Sequence, residues 1–289
     1  MSLTAQILLG ALCALALVYV LRWIAIERGR TRDAAAPRRG LVNTLTGFVT
    51  NFFDTLGVGS FAPTTSVFKL LRLVPDERIP GTLNAGHALP TIAQALIFIA
   101  AVSVDPLTLV LMIAAAVLGA WLGAGIVTRL PKRAIQIGMG VALLCAAALF
   151  VLGIVKWIPA GGDALQLRGA TLALAVGGNF LLGALMPLGV GLYAPCLILV
   201  SLLGMNPIAA FPIMMGSCAF LMPVAGLRFI ATQRYDARAA AGLALGGIPG
   251  VLIAAFIVKQ LPLLWLRWLV VAVVLYTAIA MLRAARERR

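Results

Sequence analysis

The sequence predicts an all-α polytopic membrane protein made of two inverted repeats. Each repeat holds a re-entrant or broken-helix hairpin plus three transmembrane helices, and one extra transmembrane helix stands at the N-terminus. Three observations predict this. Hydrophobic residues make up 62% of the 289 and charged ones 11%, with a mean hydropathy of +1.06, a balance that belongs to multi-span membrane chains. The phrase Leu56-Gly57-Val58-Gly59-Ser60-Phe61-Ala62-Pro63 recurs 132 residues later as Leu188-Gly189-Val190-Gly191-Leu192-Tyr193-Ala194-Pro195, and an internal repeat sets the architecture. The basic residues, finally, lie in short runs between apolar segments. A formal charge of +14 could point to nucleic acid, but this placement is the one the positive-inside rule expects, and nucleic-acid binding is excluded on that ground.

The first span covers residues 3–19. No basic residue precedes it and no small-residue cleavage site follows it, whereas Arg22, Arg28, Arg30, Arg32, Arg38 and Arg39 come after it. It reads as a retained helix with its N-terminus outside. Residues 1–40 form this helix and a basic cytoplasmic loop. Repeat 1 takes 41–155, an extracytoplasmic linker 156–168, and repeat 2 residues 169–289. Beyond the octapeptide, Pro75 pairs with Pro207 and Pro80 with Pro212. After a one-residue slip Asp105 pairs with Asp236, Gly119 with Gly250, Ile126-Val127 with Ile257-Val258, and Leu130-Pro131 with Leu261-Pro262. The remaining spans are expected at about 80–103, 106–128, 134–155, 208–229, 237–258 and 264–283. Within them, Gly119-x-x-x-Gly123 and Gly242-x-x-x-Gly246-x-x-x-Gly250 place small residues on one face for close helix contact. Cys13, Cys145, Cys196 and Cys218 are scattered, with no CxxC pair, so neither a disulfide framework nor a zinc site is indicated.

Each repeat opens with a segment too long for one simple span, 41–74 and 170–204, interrupted near its middle by glycines and a proline. Read as hairpins, these segments leave 19 basic residues on the cytoplasmic side and 4 outside; read as single spans, they give 15 and 8. The positive-inside rule favours hairpins. One hairpin and three full spans make an odd number of crossings. The second repeat is then inserted upside down, and the C-terminus is cytoplasmic.

A hairpin tip leaves backbone amides without helical partners in the bilayer. Gly57 and Gly59 permit the turn. Pro63 and Pro195 suit the start of the returning arm. Such a start carries free amides and a positive dipole end, and so is suited to an anion. Thr64, Thr65 and Ser66 add hydroxyls to one arm, while Tyr193 and Cys196 flank the other; the competing reading is that the hydroxyls satisfy local backbone groups. Asn43, Gly47, Thr50, Asn51 and Asp54 share one helical face, as do Asn84, His87, Thr91 and Gln94. Their counterparts in repeat 2 are mostly Gly, Ala and Met. Among nine acidic residues only Asp54 lies away from a loop or chain end, and His87 is the sole histidine. Either could carry a coupled proton, or could serve only to cap and bond backbone. No Lys or Arg lies deep in a span, and Lys69 and Arg72 can snorkel to the cytoplasmic edge.

At these residues the chain resembles the TauE/SafE sulfite exporter family of membrane permeases. The likeness is carried by the two octapeptides, by Asn84-Ala85-Gly86-His87 and Gly216-Ser217-Cys218 at the middle motif, and by the Gly119 to Pro131 and Gly250 to Pro262 stretches. It implies a secondary transporter of the bacterial plasma (inner) membrane, moving a small organosulfur or related organic anion by proton-coupled alternating access around a midplane site. Candidate substrate contacts are Asn51, Gly57, Gly59, Ser60, Thr64, Thr65, Ser66, Asn84, Gly189, Gly191, Tyr193, Cys196 and Ser217; Asp54 and His87 are the candidates for proton coupling. The expected partners are the anion, protons and the lipid bilayer, with no cofactor. The alternative is a cation or metal carrier or channel using Asp54, His87, Cys196 and Cys218, although these lack metal-ligand spacing. An enzyme is not expected: HExxH, G-x-S-x-G and a base-paired nucleophile are all missing.

Overall fold

A computed structural model describes residues 3–29, 40–157, 162–189, 191–256 and 264–286. The basic run at 30–39, Val190 of the second octapeptide and the 257–262 stretch with Lys259 lie outside these. The described residues form helices: α1 (Leu3–Arg28), α2 (Gly40–Thr55), α3 (Phe61–Leu70), α4 (Ile79–Gly86), α5 (Ala88–Ala101), α6 (Pro106–Val127), α7 (Lys132–Ile154), α8 (Gly169–Leu185), α9 (Tyr193–Leu202), α10 (Pro207–Ala231), α11 (Ala237–Phe256) and α12 (Leu264–Arg286). Seven helical stretches among them are long and apolar enough to cross a membrane: α1, residues 76–101 spanning α4 and α5, α6, α7, α8 with its following turn, α10 and α11.

The solvent this fold expects can be read from which side chains it hides. Asn51, Thr64, Asn84, His87, Gln94 and Ser217 are wholly buried, while Leu174, Leu181, Leu245 and Phe256 stand exposed. Polar inside and apolar outside reverses the arrangement of a water-soluble protein and suits a lipid surround.

Helix starts follow the repeat. Asp105 caps α6, accepting from the Thr108 amide at 2.9 Å, and its counterpart Asp236 caps α11, accepting from the Ala239 amide at 2.8 Å. Pro106 and Pro207 occupy first turns, where a missing N–H costs nothing. The predicted span at 80–103 appears as α4 and α5, divided at His87. Pro90 has no N–H to offer the Gly86 carbonyl four residues back, so the helix breaks there.

Packing between the two units is reciprocal. α2 lies on α11, and α8 lies on α6; α3 meets α12, and α9 meets α7. The match extends to single residues. A Cβ on Gly119 would run into the Phe180 carbonyl, and one on its counterpart Gly250 into the carbonyl of Phe48, the counterpart of Phe180. Gly47 abuts Leu243, and at the equivalent position Asn179 donates to the Met112 carbonyl at 2.7 Å.

Directions follow from the same contacts. Along α11, Gly242, Gly246 and Gly247 face Asn43, Thr44 and Asn51 in turn, so α2 and α11 run parallel. Gly119 and Gly123 of α6 face Phe180 and Ala184 of α8, again parallel. In α10, Gly216 lies by Ile99, Gly226 by Ala85, and Phe229 by Gly81, so α10 is antiparallel to α4 and α5. α1 is antiparallel to them as well: Tyr19 donates to the Ala85 carbonyl at 2.9 Å, while Thr4 and Ala5 sit beside Ile99 and Ala100.

Candidate functional site

The two octapeptides interrupt helices at equivalent places. α2 ends at Thr55 and α3 starts at Phe61; α8 ends at Leu185, a short 3-10 turn follows, and α9 starts at Tyr193. Gly57 (φ 88°) and Gly189 (φ 98°) take left-handed backbone at matching positions, which only glycine adopts without penalty. Both α3 and α9 open with a proline at the third residue, and their first-turn amides have no intrahelical acceptor.

The breaks meet. A cavity of about 50 Å³ is lined by Val58, Gly59, Phe61 and Ala62 from one, by Gly189, Gly191, Tyr193, Ala194 and Pro195 from the other, and by α7. A second cavity of about 20 Å³, room for about one water, lies between Asp54, Gly59, Ser60, Thr91, Gly191, Tyr193 and Cys218. Neither is lined by a lysine or arginine.

Behind these cavities runs a connected polar network. Gln94 of α5 donates through Nε2 to Asp54 Oδ2 at 2.9 Å and to Thr55 Oγ1 at 3.0 Å. Its Oε1 accepts from the Tyr193 hydroxyl of α9. The hydroxyl and amide of Ser60 also turn toward the Asp54 carboxylate. Among the described residues no ion pair involves Asp54. Nearby, His87 holds both arms of the first break: the Asn51 amide meets Nδ1 (Nδ2 at 2.9 Å), and Thr64 Oγ1 lies 3.1 Å from Nε2. The ring also sits 5.8 Å from that of Phe61.

Of the residues expected from sequence, Asn51, Asp54, Gly57, Gly59, Ser60, Thr64, His87, Gly189, Gly191 and Tyr193 are thus gathered around the two breaks. Others are occupied elsewhere. Ser66 donates to the Ala62 carbonyl at 2.9 Å and Asn84 to Pro80 at 2.9 Å, the local bonding expected of such residues in helices. Ser217 bonds Asn179 at 2.9 Å, and Cys196 is buried on α9. Thr65 is buried with its hydroxyl unpartnered, as is the Oδ1 of Asn84. Gln94 and Thr91 belong to the site although sequence placed them only on a shared helical face; the i, i+3, i+7, i+10 spacing from Asn84 was the available signal. Among the described residues no group of three or more His, Cys, Asp or Glu could hold a metal ion.

A family model described as sulfite exporter TauE/SafE matches residues 1–150. The chain belongs to the TauE/SafE family. No curated protein and no solved structure matches it. The family match spans α1 and the first unit, including Asp54, His87 and Gln94, while the second unit is tied to the first by the octapeptide and the reciprocal packing. The protein is accordingly a multi-pass membrane permease of the sulfite exporter type.

Proposed function

We propose that this TauE/SafE member is a secondary transporter that carries a small organosulfur or related organic anion, coupled to protons, by alternating access around the paired helix breaks. The observation that carries this reading is that both breaks open onto shared cavities beside the buried carboxylate of Asp54. Free amides at the starts of α3 and α9, with Ser60, Tyr193 and Thr91, supply donors for an oxyanion. Because no fixed cation lines the cavities, the charge of Asp54 decides occupancy: the ionised carboxylate repels the cargo, and a proton on it removes that repulsion. Proton and anion therefore bind together. The present cavities are too small for a sulfonate, so loading requires the breaks to separate, and gating by their movement follows.

Helix directions support an inverted arrangement of the two units. α10 and α1 each run antiparallel to α4–α5. If α6 and α7 each cross once, both relations are satisfied when α2 with α3, and α8 with α9, make no net crossing. A single long span in either unit breaks one of them. At 10 residues, α3 and α9 reach about 15 Å each, half the hydrocarbon thickness. The charge count points the same way. In a variant without native cysteines, Leu71→Cys and Leu203→Cys mark equivalent ends of α3 and α9. An impermeant maleimide is expected to label them from opposite faces; labelling from one face would remove the inversion.

Transport is tested in proteoliposomes. Saturable uptake of sulfite or a simple alkylsulfonate, enhanced by a pH gradient directed to drive protons with it, is the expected result. Accumulation that follows membrane potential but ignores the pH gradient would discard proton coupling. No uptake of any sulfur oxyanion would discard the cargo class.

A further inference from the structure

Away from the helix breaks, a cavity of about 520 Å³ opens between the end of α3 and the last turns of α12, a volume in the range of ligand sites. Three of its lining residues are cations, Lys69, Arg72 and Arg283, and beside them stand the exposed apolar side chains of Leu70, Tyr276 and Ile279. Lys69 also pairs with Asp76 at 2.6 Å, so one carboxylate offsets part of this charge. Arg72 takes left-handed backbone (φ 50°) at the position where the second unit has Gly204 (φ 85°). The left-handed residue closes the end of α3, as it closes many helices, and leaves Arg72 at the cavity. Guanidinium and ammonium groups suit phosphate oxygens. Cations set next to outward-facing apolar groups and a tyrosine mark the level where headgroups give way to acyl chains.

We propose that this opening binds an anionic phospholipid, its phosphodiester held by Lys69, Arg72 and Arg283 and its chains lying along Leu70, Tyr276 and Ile279. The occupant bridges the first unit to the second, bracing the end of α3 against α12. The site depends on the chain lying in a bilayer and not on what the transporter carries, so it stands or falls apart from the cargo.

The test is thermal unfolding and native mass spectrometry of the full chain in detergent, with phosphatidylglycerol, phosphatidylcholine or inorganic phosphate added. Phosphatidylglycerol is expected to bind and to raise the unfolding temperature where phosphatidylcholine does not. Arg72→Gln with Arg283→Gln is expected to weaken that binding about 30-fold, taking the effect of two basic residues at a headgroup. Arg168→Gln, remote from the cavity, leaves it unchanged. Should the double variant fail to fold, Arg283→Gln alone, at an exposed position, is expected to lose several-fold. Equal response to both lipids, or undiminished binding by the variants, overturns the proposal. Inorganic phosphate matching phosphatidylglycerol at equal concentration also overturns it, in favour of a free oxyanion site.

Discussion

Asp54→Asn is expected to abolish anion accumulation driven by a pH gradient while sparing exchange of anion for anion. The substitution keeps size and shape, and the amide oxygen can still accept from Gln94 Nε2, which now lies 2.9 Å from the carboxylate. What it removes is the group that changes charge. A carboxylate and an oxyanion about 4 Å apart repel by about 4 kcal/mol at an effective dielectric of 20, which is about a thousandfold in affinity. In the wild type that penalty applies whenever Asp54 is ionised, and a proton lifts it. In the variant it is never present, so anion affinity is expected to be flat from pH 5 to pH 8. Gradient-driven accumulation should fall at least tenfold. Counterflow at equal pH on both sides is the control, since it asks only whether the cavity still binds and moves. Unchanged gradient dependence in Asp54→Asn would remove Asp54 from coupling.

Gln94 and Tyr193 link Asp54 to the second unit by hydrogen bonds. With the carboxylate ionised, the Gln94 amide must present Nε2 to it, so Oε1 faces Tyr193 and accepts its hydroxyl proton. A protonated Asp54 can instead donate to Oε1, which turns the amide over and removes the acceptor from Tyr193. Tyr193 stands in the first turn of α9, so this bond between α5 and the second break is expected to change with the proton.

Much of the fold was legible because the repeat is written in residues that act locally. The glycines of the octapeptides make the turns, Asp105 and Asp236 cap equivalent helices, and the glycine series on α6 and α11 admit neighbouring backbones. Each of these does the same thing in any surroundings, so spacing alone reveals it. The site was legible where helical periodicity gathers polar groups, as with Asn51, Asp54, His87 and Gln94. It was not legible where the partner comes from the other unit: nothing near Tyr193 in sequence foretells Gln94, 99 residues away. Nor can spacing tell which hydroxyls serve their own helix. Thr46, Thr50, Thr55 and Ser66 each donate to the carbonyl four residues back, the same bond a substrate would have to displace.

The reciprocal contacts carry the second large expectation, which concerns stability. Gly119→Val and Gly250→Val should each destabilise the protein by about 3 kcal/mol or more, the upper end of the cost of forcing atoms into a packed interface. In neither case can the obstacle move aside as a side chain would, because the atom in the way is a backbone carbonyl within a helix, Phe180 for one and Phe48 for the other. Valine must therefore push whole helices apart, α8 from α6 or α2 from α11, and expose the polar groups packed behind α2. Gly10→Val is the control: a Cβ there meets nothing within 4 Å, so its unfolding temperature should match the wild type. Because the two glycines are equivalent, the two losses should be similar in size. As the interfaces share no residues, the double variant should lose close to their sum. Either variant matching the Gly10→Val control would mean that the helices do not approach as closely as the exchange of the two units requires.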